Sequence, residues 1–380
     1  MTASTTQVPK APKAELTLER GSFAGRAARA AATPGGGVFV LVIVLLVLVI
    51  ASTPSFGEPP QLIRFVGRTA PIAIAAIGQY FVIVSGEFDL SMGAVVTTQV
   101  VMAGNLIGQD EDKILPVMAL MVLVGIAIGV VNGLATTLLR VPSFIVTLGT
   151  MLALSGLVFY LTGGAATGNP ADSFREIGRG GLDGVPIIDL LPYPAIILAV
   201  VCVGAAWLMR RPFGRTLVAS GDNPEAARLA GTTLWLLKTR AFVLSSLSAT
   251  IAGIILVGYA GVHPSVGRGY EFTAITAVVL GGVVLGGGRG WVLSAAAGAF
   301  ALELLFTLLN FRGVESTWRD TVQGLIIIVA VALSGRAWQG GLRDRLTRSR
   351  RTAPTTLQSR PEAADHTTSP TPGSTTGEDR

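Results

Sequence analysis

Gly37 to Ser52 reads GVFVLVIVLLVLVIAS, a block with no charged residue and with FVLVIVLLVLVIA at its centre. A helix needs about 20 mostly apolar residues to cross a bilayer core, and with the small residues before it the block fits that length. Similar blocks recur as far as Ser334, and the pattern predicts ten membrane spans at roughly 34–52, 69–86, 89–107, 114–138, 143–163, 191–209, 239–260, 272–288, 291–309 and 319–335. Some 36 residues precede the first block, and nine further spans follow it. Both facts favour an uncleaved first helix over a signal peptide. The expected fold is therefore all-α and polytopic.

Composition agrees with that reading and excludes others. Half of the 380 residues are hydrophobic and only 14% are charged, against about 25% charged in soluble domains. The single cysteine, Cys202, lies in an apolar block and rules out a disulfide framework within the chain. Two histidines, His263 and His366, form no cluster for a transition metal. The net charge of +6 would raise the question of nucleic acid in a soluble protein. Here the charge is segregated to the ends and a few loops, so topology explains it better.

Residues 1–33 are polar and rich in Ala, Thr and Pro, and 336–380 are basic and then rich in Ser, Thr, Pro and Gly. Neither stretch has the apolar content to build a core, so both are expected to be disordered tails flanking a transmembrane domain at 34–335. With the N-terminus inside, inside segments hold 21 of the 29 Lys and Arg residues. That is the bias that sets orientation, so both termini are expected in the cytoplasm. The basic run Arg343, Arg345, Arg348, Arg350 and Arg351 reads as a topological anchor, with a segment drawn to anionic lipid headgroups as the alternative.

The inside stretch 210–240 reads RRPFGRTLVASGDNPEAARLAGTTLWLLKTR. Gly221, Asp222 and Asn223 lead into it, with Asp222 or Asn223 as the cap. Pro224 takes the first helical position, where a missing N–H costs nothing. Glu225 suits the positive end of the helix dipole. Ala226 and Ala227 leave a small-residue surface, and Gly231 can end the helix in a left-handed conformation. Such a helix has the size to dock in another protein's groove.

GRTLVASGDNPEAARLAG resembles the coupling-loop signature of the ribose/monosaccharide permeases of ATP-binding-cassette importers, and Glu225-Ala226-Ala227 with Gly231 matches the E-A-A-x-x-x-G pattern of such permeases. Three more segments resemble the same family in order: GEFDLSMGAVV from Gly86, with Glu87 where the family has glycine; VPSFIVTLGT from Val141; and GYEF from Gly269 through AVVLGG, ending at Gly282. Splitting the ten spans into two fives gives two halves of opposite orientation, and the resemblance implies an inner-membrane subunit of a bacterial importer. It further implies a second permease chain (homo- or heterodimer), a separate ATP-binding subunit and an extracytoplasmic sugar-binding protein. Hydrolysis of ATP would then be the partner's work. This chain carries no nucleotide site: its run Gly286-Gly287-Gly288-Arg289-Gly290 lacks the Lys-Ser/Thr ending of a phosphate loop.

Polar groups at membrane depth are the candidates for the pathway. Charges there cost about 2.5–3.5 kcal/mol on insertion scales and seldom face lipid. Glu87 and Asp89 fall between spans two and three, where Asp89 or Ser91 could cap the third span and Glu87 could reach water. Glu271 repeats the Glu-Phe pair of Glu87 at the corresponding place in the second half, as inverted repeats around a pathway do. Gln79 and Tyr80 are further candidates, with interhelical bonding as their plain alternative. Related permeases for nucleosides or branched-chain amino acids, and a secondary transporter, are the competing readings. An ion-driven carrier would place coupling carboxylates in mid-span and would need no ATPase dock.

Overall fold

The computed structural model describes residues 34–332 apart from 188, 316 and 330, so both predicted tails lie outside the described residues. Among the described residues, seven helices are long and apolar enough to cross a membrane. These are α1 (Pro34–Ser52), α2 (Pro59–Val84), α4 (Ile114–Thr137, preceded by a 3-10 turn), α5 (Ser143–Thr162), α7 (Tyr193–Arg210), α10 (Leu234–Ala260) and α12 (Val292–Phe311). Two predicted spans are half-length helices instead: α3 (Met92–Met102), which runs through a π turn to Ile107, and α11 (Tyr270–Leu280). Eleven residues rise about 16 Å, half of a hydrocarbon core. The tenth predicted span is helical over 318–329. Short elements complete the chain: α6 (Asp172–Arg179), the antiparallel hairpin β1 (Gly181–Val185) and β2 (Asp189–Pro192), α8 (Pro212–Asp222) and α9 (Pro224–Leu229).

Several boundaries differ from the hydropathy reading for a common reason. Helix α2 begins ten residues before the predicted position, and α10 five residues before. Arg64 and Arg68, and Lys238 and Arg240, depress hydropathy at these ends without breaking the helices. Pro59 and Pro60 occupy the first turn of α2, where proline is tolerated. The predicted eighth span stops at Leu280, because Gly281-Gly282 turns the chain, Gly282 with φ of +78°.

Helices α2 and α10 form the core. Each is buried over most of its length, whereas α1, α4, α5 and α7 keep broad apolar faces outward, as lipid-facing helices do. Helix α2 packs against α7, α11 and α12, and α10 packs against α2, α3 and α4. Helix α1 lies outside the core, with Val38, Leu45 and Val49 on Ala297, Ala301 and Leu304 of α12.

The α4–α10 contact rests on a small-residue stripe that hydropathy does not reveal. Gly125, Gly129 and Gly133 recur every fourth residue of α4. A Cβ on Gly129 would lie 2.6 Å from Val243 Cα, and one on Gly133 2.5 Å from Thr239 Cα. Spacing by four aligns the glycines on one helix face and lets the two backbones approach.

Candidate coupling surface and transport pathway

The segment from Arg211 to Thr233 turns twice. Helix α8 runs to Asp222, and its Gly221 and Ser220 are buried. Asn223 adopts an extended conformation and its Oδ1 accepts from Ala226 N at 3.0 Å, capping α9; Pro224 follows as the first helical residue. After Leu229, Gly231 has φ of +85°, its N–H meeting Arg228 O, while Thr232 N–H reaches back to Ala227 O. These bonds satisfy carbonyls that the short helix would otherwise leave open. Glu225 and Arg228 are exposed and paired, Arg228 Nε donating to Glu225 Oε2 at 3.1 Å. That hydrogen bond, with the guanidinium charge, holds the Glu225 carboxyl below its ordinary range. Ala227 alone of the six helical residues is buried. Helix α9 therefore presents charged and small side chains and the exposed Leu229 outward, on a turn anchored at both ends.

Two sequence motifs that are distant in the chain meet at the non-helical segment 85–91. Phe88 N donates to Ser143 Oγ at 3.0 Å, and Thr147 Oγ1 lies 3.4 Å from Phe88 O. Asp89 is fully buried: its Oδ1 accepts from Ser91 N at 2.9 Å and from Ser91 Oγ at 2.6 Å, and its Oδ2 from Ser245 Oγ at 2.7 Å. Asn132 Nδ2 donates to Ser91 Oγ at 2.9 Å, and Thr150 Oγ1 donates to Asn132 Oδ1 at 2.6 Å. One polar network thus joins α5, α4, the segment before α3, and α10. Asp89 does not cap the first turn of α3, as the sequence suggested it could. Its carboxylate holds the amide and hydroxyl of Ser91, the residue that precedes that helix. Irregular backbone at this depth needs such partners because lipid offers none.

The α5 hydroxyls were missed in the sequence reading, although Ser143, Thr147 and Thr150 fall at helical spacing on one face. Ser143 and Thr147 are buried and Thr150 is half-buried, so that stripe faces the bundle. The remaining candidates are placed as follows. Glu87 is half-buried in an ion pair with Lys238 of α10. Glu271 is buried at the start of α11, its Oε1 accepting from Gly269 N at 3.3 Å. A Cβ on Gly93 of α3 would collide with Glu271 Oε2, so only glycine leaves room for that carboxylate. Tyr80 is buried, its hydroxyl donating to Gly290 O at 3.3 Å. Gln79 is fully buried in mid-helix, and neither atom of its amide has a hydrogen-bond partner. Among the described residues, no group of His, Cys, Asp or Glu could hold a metal ion.

Comparison with known proteins accounts for the shared motifs. The family described as "Branched-chain amino acid transport system / permease component" matches residues 61–331. The chain belongs to this permease family. The permease is 34% identical to the ribose import permease protein RbsC of Escherichia coli K12, over 76% of its own length and 90% of the relative's. Against the RbsC protein of Bacillus subtilis 168 the identity is also 34%, over 78% and 91%. An autoinducer 2 import system permease protein, LsrC of Klebsiella pneumoniae, is 30% identical over 80% and 86%. No solved structure matches. The permease is a multi-pass membrane transport subunit and not an enzyme.

Proposed function

We propose that this permease forms the pathway for a monosaccharide in a bacterial inner-membrane importer, driven by ATP hydrolysis in a separate subunit. The observation that carries the substrate class is the 34% identity to two ribose import permeases along nearly their whole length. The exposed, capped α9 supports the coupling role, with Gly221, Asp222, Asn223, Pro224, Glu225, Ala226, Ala227 and Gly231 as the contact for the ATP-binding subunit. An extracytoplasmic sugar-binding protein would deliver the solute at the opposite face, and a second permease chain would complete the pathway. The similarity to LsrC keeps a second solute, autoinducer 2, as the competing reading.

Ten spans in two inverted halves, with both termini in the cytoplasm, suit the packing. Helices α2 and α10 are each long and buried, and each precedes a half-length helix, α3 or α11. Each also packs on the half-length helix of the other half. Glu87 and Glu271 then occupy corresponding places in the two halves, flanking a pathway with Asp89, Tyr80 and Gln79.

Affinity purification of the full chain from its host in mild detergent tests the assignment. Stoichiometric recovery of an ATP-binding subunit and a sugar-binding protein is expected, and purification alone with ion-driven solute movement would overturn it. Two substitutions test the coupling role. Glu225→Arg reverses the exposed charge, and Gly231→Trp places a β-carbon on a left-handed residue, a strain of about 1–2 kcal/mol. Both should insert normally and hydrolyse ATP in the complex while import falls at least about tenfold, a factor worth about 1.4 kcal/mol. Normal import in both variants would count against α9.

Gln79 supplies a separate prediction. An unpartnered buried amide costs about 1–3 kcal/mol, so Gln79→Leu should hold or raise the melting temperature in detergent. If the amide meets the solute or its water during transport, import should still drop several-fold. Unchanged import would leave Gln79 outside the pathway.

A further inference from the structure

Three contacts converge on the segment Val84–Asp89, between α2 and α3. The first is a meeting of backbones without side chains. A Cβ on Gly221, at the end of α8, would strike the Val84 carbonyl oxygen and lie 2.6 Å from Gly288 N. Gly288 N donates to that same Val84 oxygen at 2.9 Å. A Cβ on Gly287 would lie 2.9 Å from Gly86 Cα and 3.1 Å from Gly221 Cα. Gly86, Gly287 and Gly288 all have positive φ, at 86°, 85° and 72°. The end of α8, the end of α2 and the loop between α11 and α12 therefore touch main chain to main chain.

The second contact is the Lys238–Glu87 ion pair, its side chains only 14% and 17% exposed. Lys238 stands near the start of α10, five residues after the Thr233 that ends the coupling segment. The third is the buried network that fixes Phe88 and Asp89 to α5 and α10. The segment is thus held from the coupling side at Val84–Glu87 and from the pathway side at Phe88–Asp89.

We propose that Val84–Asp89 is the joint that passes movement of the coupling helix to the pathway helices, with Lys238–Glu87 as its latch. This rests on the import reading above and adds how force would travel. Gly221 lies two residues before Asn223, the cap of α9, so a push on α9 reaches the glycine contact through a continuous backbone. Facing glycines transmit that push by contact, since there is no space to absorb it. They also carry no interlocked side chains that would resist a pivot. A half-buried ion pair is screened less than a surface pair, so Glu87 and Lys238 can favour one setting of the joint. Both are positioning residues: neither needs to touch the solute.

The test uses the full permease co-expressed and purified with its ATP-binding subunit. In a Cys202→Ser background, Glu87→Cys with Lys238→Cys is treated with a short bis-methanethiosulfonate cross-linker. The expected yield is high without nucleotide and at least about threefold lower after trapping with ATP and vanadate. Equal yields would overturn the joint while leaving the importer assignment standing. Failure of any ATP-binding subunit to co-purify would overturn both. The charges are tested by import per ATP hydrolysed, with ribose as the probe alongside the other solutes that the wild-type complex takes up. Glu87→Gln and Lys238→Met should each lower that ratio at least about fivefold, and the exchange Glu87→Lys with Lys238→Glu should recover it to within about twofold. An exchange no better than the single variants, or single variants equal to wild type, would remove the latch.

Discussion

Gly221→Val should abolish import, lowering it at least about tenfold, while the chain still inserts and still carries its peripheral ATPase. Valine adds a branched β-carbon where the nearest atoms are the Val84 carbonyl oxygen and the Gly288 amide nitrogen, a pair already joined by a hydrogen bond. None of these atoms belongs to a flexible side chain that could swing aside. Either the Val84–Gly288 bond parts or the end of α8 lifts from the bundle, and overpacking of this kind costs about 1–3 kcal/mol. The same substitution logic gives a control. Gly204 lies in α7 with open space around its absent β-carbon, so Gly204→Ala should be neutral or stabilising by up to about 1 kcal/mol. Uptake by vesicles, with permease content measured on blots, separates the two. Full import by Gly221→Val would show that α8 does not need its contact with α2.

The sequence carried the parts of this architecture that follow from solvent and local backbone preference. Membrane spans are visible because lipid demands long apolar runs, and seven of the predicted ten appear as full-length helices. The turn around α9 was legible almost residue by residue, since Pro224 and Gly231 act through local rules and the cap lay between Asp222 and Asn223, of which Asn223 is the one that bonds. The half-length helices were harder. Apolar content continues through the non-helical Leu90 and Val283–Leu285, and hydropathy does not register a chain that turns inside protein. Basic residues near the ends of α2 and α10 produced the opposite error and shortened both helices. Tertiary pairings were out of reach for a different reason. Nothing local couples Phe88 to Ser143 or Glu87 to Lys238; only packing of the whole bundle does. The glycines of the joint stand in the sequence one by one, but nothing local names the backbone that each would meet.

Asp89→Ala should be the most damaging single change to stability, at about 3–4 kcal/mol, because it orphans three buried donors at once. The Ser91 amide, the Ser91 hydroxyl and the Ser245 hydroxyl all give hydrogen bonds to this carboxylate, and Ser91 Oγ in turn accepts from Asn132. Loss of the acceptor leaves the Lys238–Glu87 ion pair as the polar tie from α10 to the segment before α3 and loosens the start of that half-length helix. Asp89→Asn separates hydrogen bonding from charge. Its carbonyl can still accept from Ser91, and its amino group can donate to Ser245 if that hydroxyl rotates to accept, so a cost near 1 kcal/mol is expected. Thermal melting of the purified complex reads the stabilities, and vesicle uptake reads the function. Asn should retain import to within about threefold if the carboxylate serves as an acceptor that fixes the joint. Loss of import in a stable Asn variant would show instead that the negative charge itself is needed in the pathway. An Ala variant as stable as wild type would mean that water replaces the carboxylate, and that the network does not hold α3 and α10 together.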